Sequence, residues 1–172
     1  MIKKYALVSA FVKLAFKLNH IKQIYGLPEI EFMKNGHKPI LIPYTNQKDS
    51  RGIMSVLEDT CLPFKVRRYF WICHAPDNTI RGGHAHKSSK QLLICLNGCI
   101  EVHLEGLSGA KQRFKLESGQ NKLLYLPPLY WGSFCFKNNA MAFCMASDPF
   151  DEADYIRDYR EFEKLKHAYQ HR

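Results

Sequence analysis

The 172-residue sequence contains no Cys-x-x-Cys pair. Its cysteines, Cys61, Cys73, Cys95, Cys99, Cys135 and Cys144, are scattered, which removes the usual spacing of a structural zinc site. Most lie in apolar runs such as Leu92-Leu93-Ile94-Cys95-Leu96, where a thiol serves as a small hydrophobe. A chain of this length buries a core without covalent staples. Disulfides are therefore not required, and a reducing, cytoplasmic setting is expected. Long apolar runs are also missing, and none reaches the ~20 residues that span a bilayer. Acidic residues are scarce: 16 Asp and Glu face 25 Lys and Arg, for a formal net charge of +9. That balance favours anionic partners such as a phosphorylated substrate, nucleic acid or a membrane surface. The basic residues are spread along the chain rather than gathered in an arm, which argues against nucleic acid. Repeats and low-complexity tracts are absent, so solenoid arrays and long linkers are not indicated.

What is present divides into two parts. Residues 1–39 read as a helical extension and residues 40–172 as one domain. Met1-Ile2-Lys3-Lys4 precedes an apolar stretch, but Lys13 and Lys17 interrupt it too early for a signal peptide and no clear cleavage site follows. Leu7, Phe11, Leu14 and Leu18 fall on one helical face, which predicts an amphipathic helix. Docking on the domain or on a second subunit is the expected role. Contact with a membrane surface is the lesser expectation.

From Ile40 to Ser147 the pattern is strand after strand. Expected strands cover Phe64–Cys73, Gln91–Leu96, Cys99–Leu104, Phe114–Leu116, Lys122–Leu126, Ser133–Phe136 and Ala140–Met145. Short strands at near-regular spacing predict a sandwich or barrel. Asn97-Gly98 between two apolar runs predicts a type I′ hairpin joining Gln91–Leu96 to Cys99–Leu104. Asp148, Pro149, Asp151 and Glu152 predict the start of a C-terminal helix.

The densest chemical signal is Arg81-Gly82-Gly83-His84-Ala85-His86-Lys87. On a strand, His84 and His86 project to one side. Two imidazoles there bind a metal or move protons near neutral pH. The residues alone leave both open.

The spacing His84-x-His86, Gln91, Gly98 resembles the first cupin motif. In metal-binding cupins a glutamate ligand usually stands at Gln91, and a second motif supplies another histidine. Here that stretch reads Leu126-Pro127-Pro128-Leu129-Tyr130-Trp131-Gly132-Ser133-Phe134 and contains none. The departure favours a metal-free site, with no cofactor, in which the histidines act as acid and base. A metal held by both histidines and a distant residue is the competing expectation.

Asp49-Ser-Arg51-Gly52, Leu62-Pro63-Phe64, Val66-Arg67-Arg68, the Arg81–Lys87 block, Gln91–Gly98, Pro128-x-x-Trp131 and Asp151-Glu152-x-Asp154-Tyr155-Ile156-Arg157 together resemble the TDP-4-keto-6-deoxyglucose 3,4-ketoisomerases. The resemblance covers about two-thirds of the chain and none of the first 40 residues. It implies a mainly β cupin, an antiparallel jelly-roll barrel carrying an N-terminal amphipathic helix and a C-terminal helix. It also implies a homodimer acting on a TDP-linked keto-sugar through an enediol. His84, His86, Arg51 and Arg81 are the expected catalytic residues. Arg68, Phe70, Lys87, Gln91 and Trp131 are the expected substrate contacts, with Arg68, Arg81 and Lys87 suited to the pyrophosphate. By alignment a functional tyrosine of the family falls on Phe70, and Gly132 stands where relatives often carry a larger polar group. A related nucleotide-sugar epimerase and a non-catalytic sugar-nucleotide binder are the alternatives.

Overall fold

The structure is a computed structural model and describes residues 37–171. The amphipathic helix expected near the N-terminus lies outside the described residues. The elements in order are β1 (Ile40–Pro43), β2 (Asn46–Asp49), β3 (Gly52–Ser55), β4 (Arg68–Ile72), β5 (Thr79–His86), β6 (Gln91–Gly106), β7 (Lys111–Glu117), β8 (Lys122–Leu126), β9 (Tyr130–Ala146), β10 (Tyr155–Ile156) and the helix α1 (Tyr159–Gln170). All strand pairings are antiparallel.

β6 and β9 pair along nearly their whole length and form the spine. Their neighbours change halfway. The first part of β6 and the last part of β9 lie among β1, β8 and β4. The remaining parts lie among β7, β5 and β10. The chain is thus mainly β, with two strand layers sharing two long strands. The principal core contains Leu93, Val102, Leu116, Leu124, Phe136 and Cys144, drawn from both layers, with Phe70 and Ile72 packed against it.

The apolar run at Gln91–Cys95 has a direct cause. Leu93 and Cys95 enter the principal core, whereas Leu92 and Ile94 enter a second cluster on the outer face with Tyr125 and Met145. Leu57, Leu62, Phe64 and Val66 pack against that face. A strand buried on both faces shows no polar alternation. It also explains why strand structure in the expected Phe64–Cys73 segment begins only at Arg68: Phe64 and Val66 lie before β4 and help cover the outer face.

The expected hairpin at Asn97-Gly98 does not form; β6 runs straight through it. The left-handed geometry is present, with φ +70° at Gly98, but it makes a bulge. A Cβ at Gly98 would lie 2.4 Å from the Asn138 carbonyl, so the strands approach closely there. Asn138 and Asn139 also take positive φ, and Asn97 Nδ2 donates to the Asn139 carbonyl at 2.8 Å. Core-facing parity changes across the bulge, from Leu93 and Cys95 to Ile100, Val102 and Leu104.

The C-terminal helix begins later than expected. Glu152–Asp154 forms a 3-10 turn, and Tyr155–Ile156 pairs with His86 and Ala85 of β5. Asp158 caps α1 by accepting from Arg160 N. Phe162 on α1 buries with Ala85 and Ile156.

Candidate active site

A cavity of about 580 Å³ opens where β4 and β5 separate along β9. Phe70 and Ile72 form one wall, Arg81 and His84 another, and Gln91, Leu93 and Phe134 lie deeper.

A bulge in β5 aims the site residues. Directly opposed residues on paired strands share a face. Arg81 opposes Phe134 and His84 opposes Gly132, with the register shift between Gly82 and His84. Phe134 packs against the core, so Arg81 lies on the inner side before the bulge. The extra residue brings His84 and His86 to that same side after it. Without it, strict alternation would turn both histidines outward. Gly82 and Gly83 have φ of +92° and +69°, and a Cβ at Gly82 would lie 2.5 Å from the Gly132 carbonyl. The two glycines therefore serve the backbone bend.

The imidazoles of His84 and His86 meet edge to face, with centroids 5.2 Å apart. His86 is held at both nitrogens. Nδ1 lies 2.7 Å from Asp154 Oδ2, and Gln91 Nε2 lies 2.8 Å from His86 Nε2. Asp154 also accepts from Ser88 N and Ser88 Oγ at 2.7 and 2.8 Å. Burial opposes ionisation of Asp154, but these hydrogen bonds outweigh it and hold the carboxyl below its ordinary range. Burial also pushes the His86 imidazole below its ordinary value, and Arg68 and Arg157 add to that effect; the Asp154 carboxylate opposes it. The contacts fit an uncharged imidazole whose Nδ1–H donates to the Asp154 carboxylate and whose Nε2 accepts from the Gln91 amide.

His84 is held by ring contacts and by a hydrogen bond to the Gly82 backbone. Burial lowers its pKa, assisted by neighbouring His86 and Arg157, against the Gly82 backbone and Glu152. The Tyr155 ring lies 5.1 Å from His84 and 4.3 Å from His86. Arg157 stacks on Tyr155 at 4.2 Å and pairs with Glu152, with Nη2 to Oε2 at 2.9 Å. Arg68 lies 5.4 Å from the Phe70 ring and 5.7 Å from the Phe150 ring.

The expected site residues therefore separate. His84, Arg81, Gln91 and Phe70 line the large cavity; His86 lies beside His84, and Arg68 beside Phe70. Three others lie elsewhere. Arg51 sits at the tip of the β2–β3 hairpin, 88% exposed, bonded to Asp49. Trp131 faces the other side of β9 and packs against Tyr159 and Phe162 of α1. Strand alternation accounts for this, because Gly132 takes the inward position. Lys87 donates to the Ala153 carbonyl at 2.7 Å, pinning the 3-10 turn.

Sequence reasoning missed Asp154, Tyr155 and Arg157 as site residues. They lie in a segment read as the start of a helix, in which Tyr155 is expected to pack. The available clue was the period-two spacing of Tyr155 and Arg157.

Two imidazoles whose pKa burial lowers, one of them bonded to a carboxylate, stand beside a cavity lined by Arg81 and Arg157; such groups are suited to moving protons. The chain's relatives give the class a name. A family model described as FdtA: WxcM-like, C-terminal, matches residues 37–167, and the chain belongs to that family. It is 35% identical over 117 residues to a TDP-4-oxo-6-deoxy-alpha-D-glucose-3,4-oxoisomerase of Aneurinibacillus thermoaerophilus, covering 67% of this chain and 84% of that protein. The crystal structure of QdtA, a sugar 3,4-ketoisomerase from Thermoanaerobacterium thermosaccharolyticum in complex with TDP, matches with TM-score 0.71 and 28% identity over 76% of this chain and 96% of that one. A mutant of QdtA in complex with TDP-4-keto-6-deoxyglucose matches with TM-score 0.71 and 27% identity, over 76% and 94%.

Proposed function

We propose that this protein is a sugar-nucleotide 3,4-ketoisomerase that moves the carbonyl of TDP-4-keto-6-deoxyglucose from C4 to C3, on a cupin-type jelly roll. The observation that carries the reading is the edge-to-face His84–His86 pair, with His84 lining the cavity between β4 and β5. The C3 hydrogen is acidic because it lies α to the C4 ketone. His84 takes it: the C3–H bond breaks, an Nε2–H bond forms, and the electron pair moves toward C4 to give an enediolate. Return of a proton to C4, with transfer of the O3 proton to O4, leaves a C3 ketone and a C4 hydroxyl. The atoms balance, and no external oxidant or cofactor enters the scheme. Two adjacent imidazoles, one to take a proton and one to handle its return, suit both proton steps. His86, oriented by Asp154, is the second proton-handling group.

Arg81 is placed to stabilise the enediolate charge. Arg68 and Arg157 are cations suited to the pyrophosphate, arginine being the better bidentate partner for such oxygens. Phe70 contributes only an apolar wall. Tyr69 does not replace a missing hydroxyl there, because it faces outward and stacks on Phe143. Tyr155 is the phenol beside the histidines.

The reading extends to a cytoplasmic homodimer. Tyr69 and Trp71, 56% and 66% exposed on β4, offer apolar surface for a second copy to cover. Light scattering checks the dimer, with a mass near twice the chain's expected.

Incubation of the purified protein with TDP-4-keto-6-deoxyglucose, followed by NMR, tests the function. A 3-keto sugar is the expected product. Proton exchange at C5 would instead indicate an epimerase, and binding without exchange a non-catalytic binder.

A further inference from the structure

Beside the histidine pair lies a second, small chamber of about 30 Å³. His84, His86, Ser89 and Gln91 contribute to its wall, and the rest is mostly apolar, including Leu104 and Phe134. Two of these lining residues carry a buried polar atom that stands out. Ser89 is only 3% exposed, and its Oγ makes no hydrogen bond within the described residues. The buried Nδ1 of His84 likewise makes none. Leaving a buried hydroxyl or imidazole nitrogen without a partner is costly, so such atoms are nearly always satisfied by protein or by ordered water. A water requires roughly 10–15 Å³ of such space and polar partners. The chamber offers enough space, and both residues with unpartnered atoms contribute to its lining.

We propose that this chamber holds an internal water bridging His84 Nδ1 and Ser89 Oγ, and that Ser89 is thereby a positioning residue for the reacting imidazole. The His84 Nδ1–H donates to the water, and the water donates to Ser89 Oγ. This places the lone pair of His84 on Nε2, the nitrogen that must be unprotonated to take the C3 hydrogen. The two imidazoles then reach the same tautomer by different means. Asp154 accepts the Nδ1 proton of His86, and the water accepts that of His84. Ser89 does not touch substrate.

The rate effect rests on the isomerase reading, whereas the tautomer does not. The test uses the full chain labelled with ¹⁵N at histidine, together with Ser89→Ala, which removes the hydroxyl, and Ser89→Leu, which fills the chamber. In the wild type, His84 should show a protonated Nδ1 and an unprotonated Nε2. In both variants the two ¹⁵N shifts should move toward each other as the tautomers mix. The rate of C3 proton loss should fall about three- to tenfold at unchanged KM, the size of one hydrogen bond. Unchanged His84 shifts in Ser89→Ala would overturn the proposal, as would an unprotonated Nδ1 in the wild type. If Ser89→Leu does not fold, Ser89→Ala decides alone. Absence of turnover by the wild type would reject the isomerase reading and leave the spectra to judge the water.

Discussion

His86 is fixed by two side chains, Asp154 and Gln91, whereas no side-chain hydrogen bond holds His84 among the described residues. Asp154 gives up its freedom to His86 and Ser88. Replacing it by asparagine leaves the size unchanged and removes the charge that orients the ring. Asp154→Asn is expected to lower kcat on the order of 10²-fold, as small misplacements of a reacting group do, with KM little changed. A steady-state comparison with wild type measures this; an unaltered kcat would show that His86 orientation is irrelevant. Burial lowers the pKa of both imidazoles from 6.5. A base with a lowered pKa keeps its lone pair into more acidic solution. The acid limb of kcat/KM should therefore lie below pH 6.5. A limb above pH 7 would contradict the neutral pair.

At the scale of elements, two bulges do what single side chains cannot. The one in β5 brings Arg81, His84 and His86 to one face, and the one in β6 carries the spine from one layer to the next. Gly82→Ala places a Cβ against the Gly132 carbonyl at a φ that side chains rarely adopt. It should cost about 1–3 kcal/mol of stability in urea unfolding and lower turnover as the histidines lose their aim. The bulges also mark the limit of what the sequence discloses. Alternation in Cys99–Leu104 and the Lys122–Leu126 strand were legible because each lies within one regular stretch. Asn97-Gly98 announced positive φ without saying whether the chain would reverse or continue. That choice depends on Asn138 and Asn139, some forty residues away on β9. The histidine pair was legible from spacing alone. Its carboxylate partner was not, because Asp154 reaches it through a two-residue strand inside a segment whose composition favours a helix start. Trp131 and Arg51 came from motif resemblance, and strand parity and a hairpin tip place them outside the cavity.

For the whole molecule, the site carries a stability signature. In the unfolded chain His84 and His86 take up protons near the ordinary 6.5, while in the folded chain burial holds both back until lower pH. Unfolding below 6.5 therefore takes up protons, and stability present above that pH is lost as pH falls through it. Asp154, whose carboxyl is lowered from 3.8, adds a further loss at still lower pH. Urea midpoints at pH 7.5 and 5.5 should show the decrease, and His84→Gln with His86→Gln should flatten it. An equal slope in that double variant would locate the pH dependence elsewhere.

Proton transfer at C3 and C4 by the His84 imidazole is read from deuterium incorporation into TDP-4-keto-6-deoxyglucose in D₂O, followed by NMR for wild type and His84→Asn, with TDP binding measured on both. Wild type should place deuterium at C4 as the 3-keto sugar forms. His84→Asn should bind TDP normally and lose about 10²–10⁴-fold in exchange rate. Wild-type exchange in His84→Asn would contradict the account.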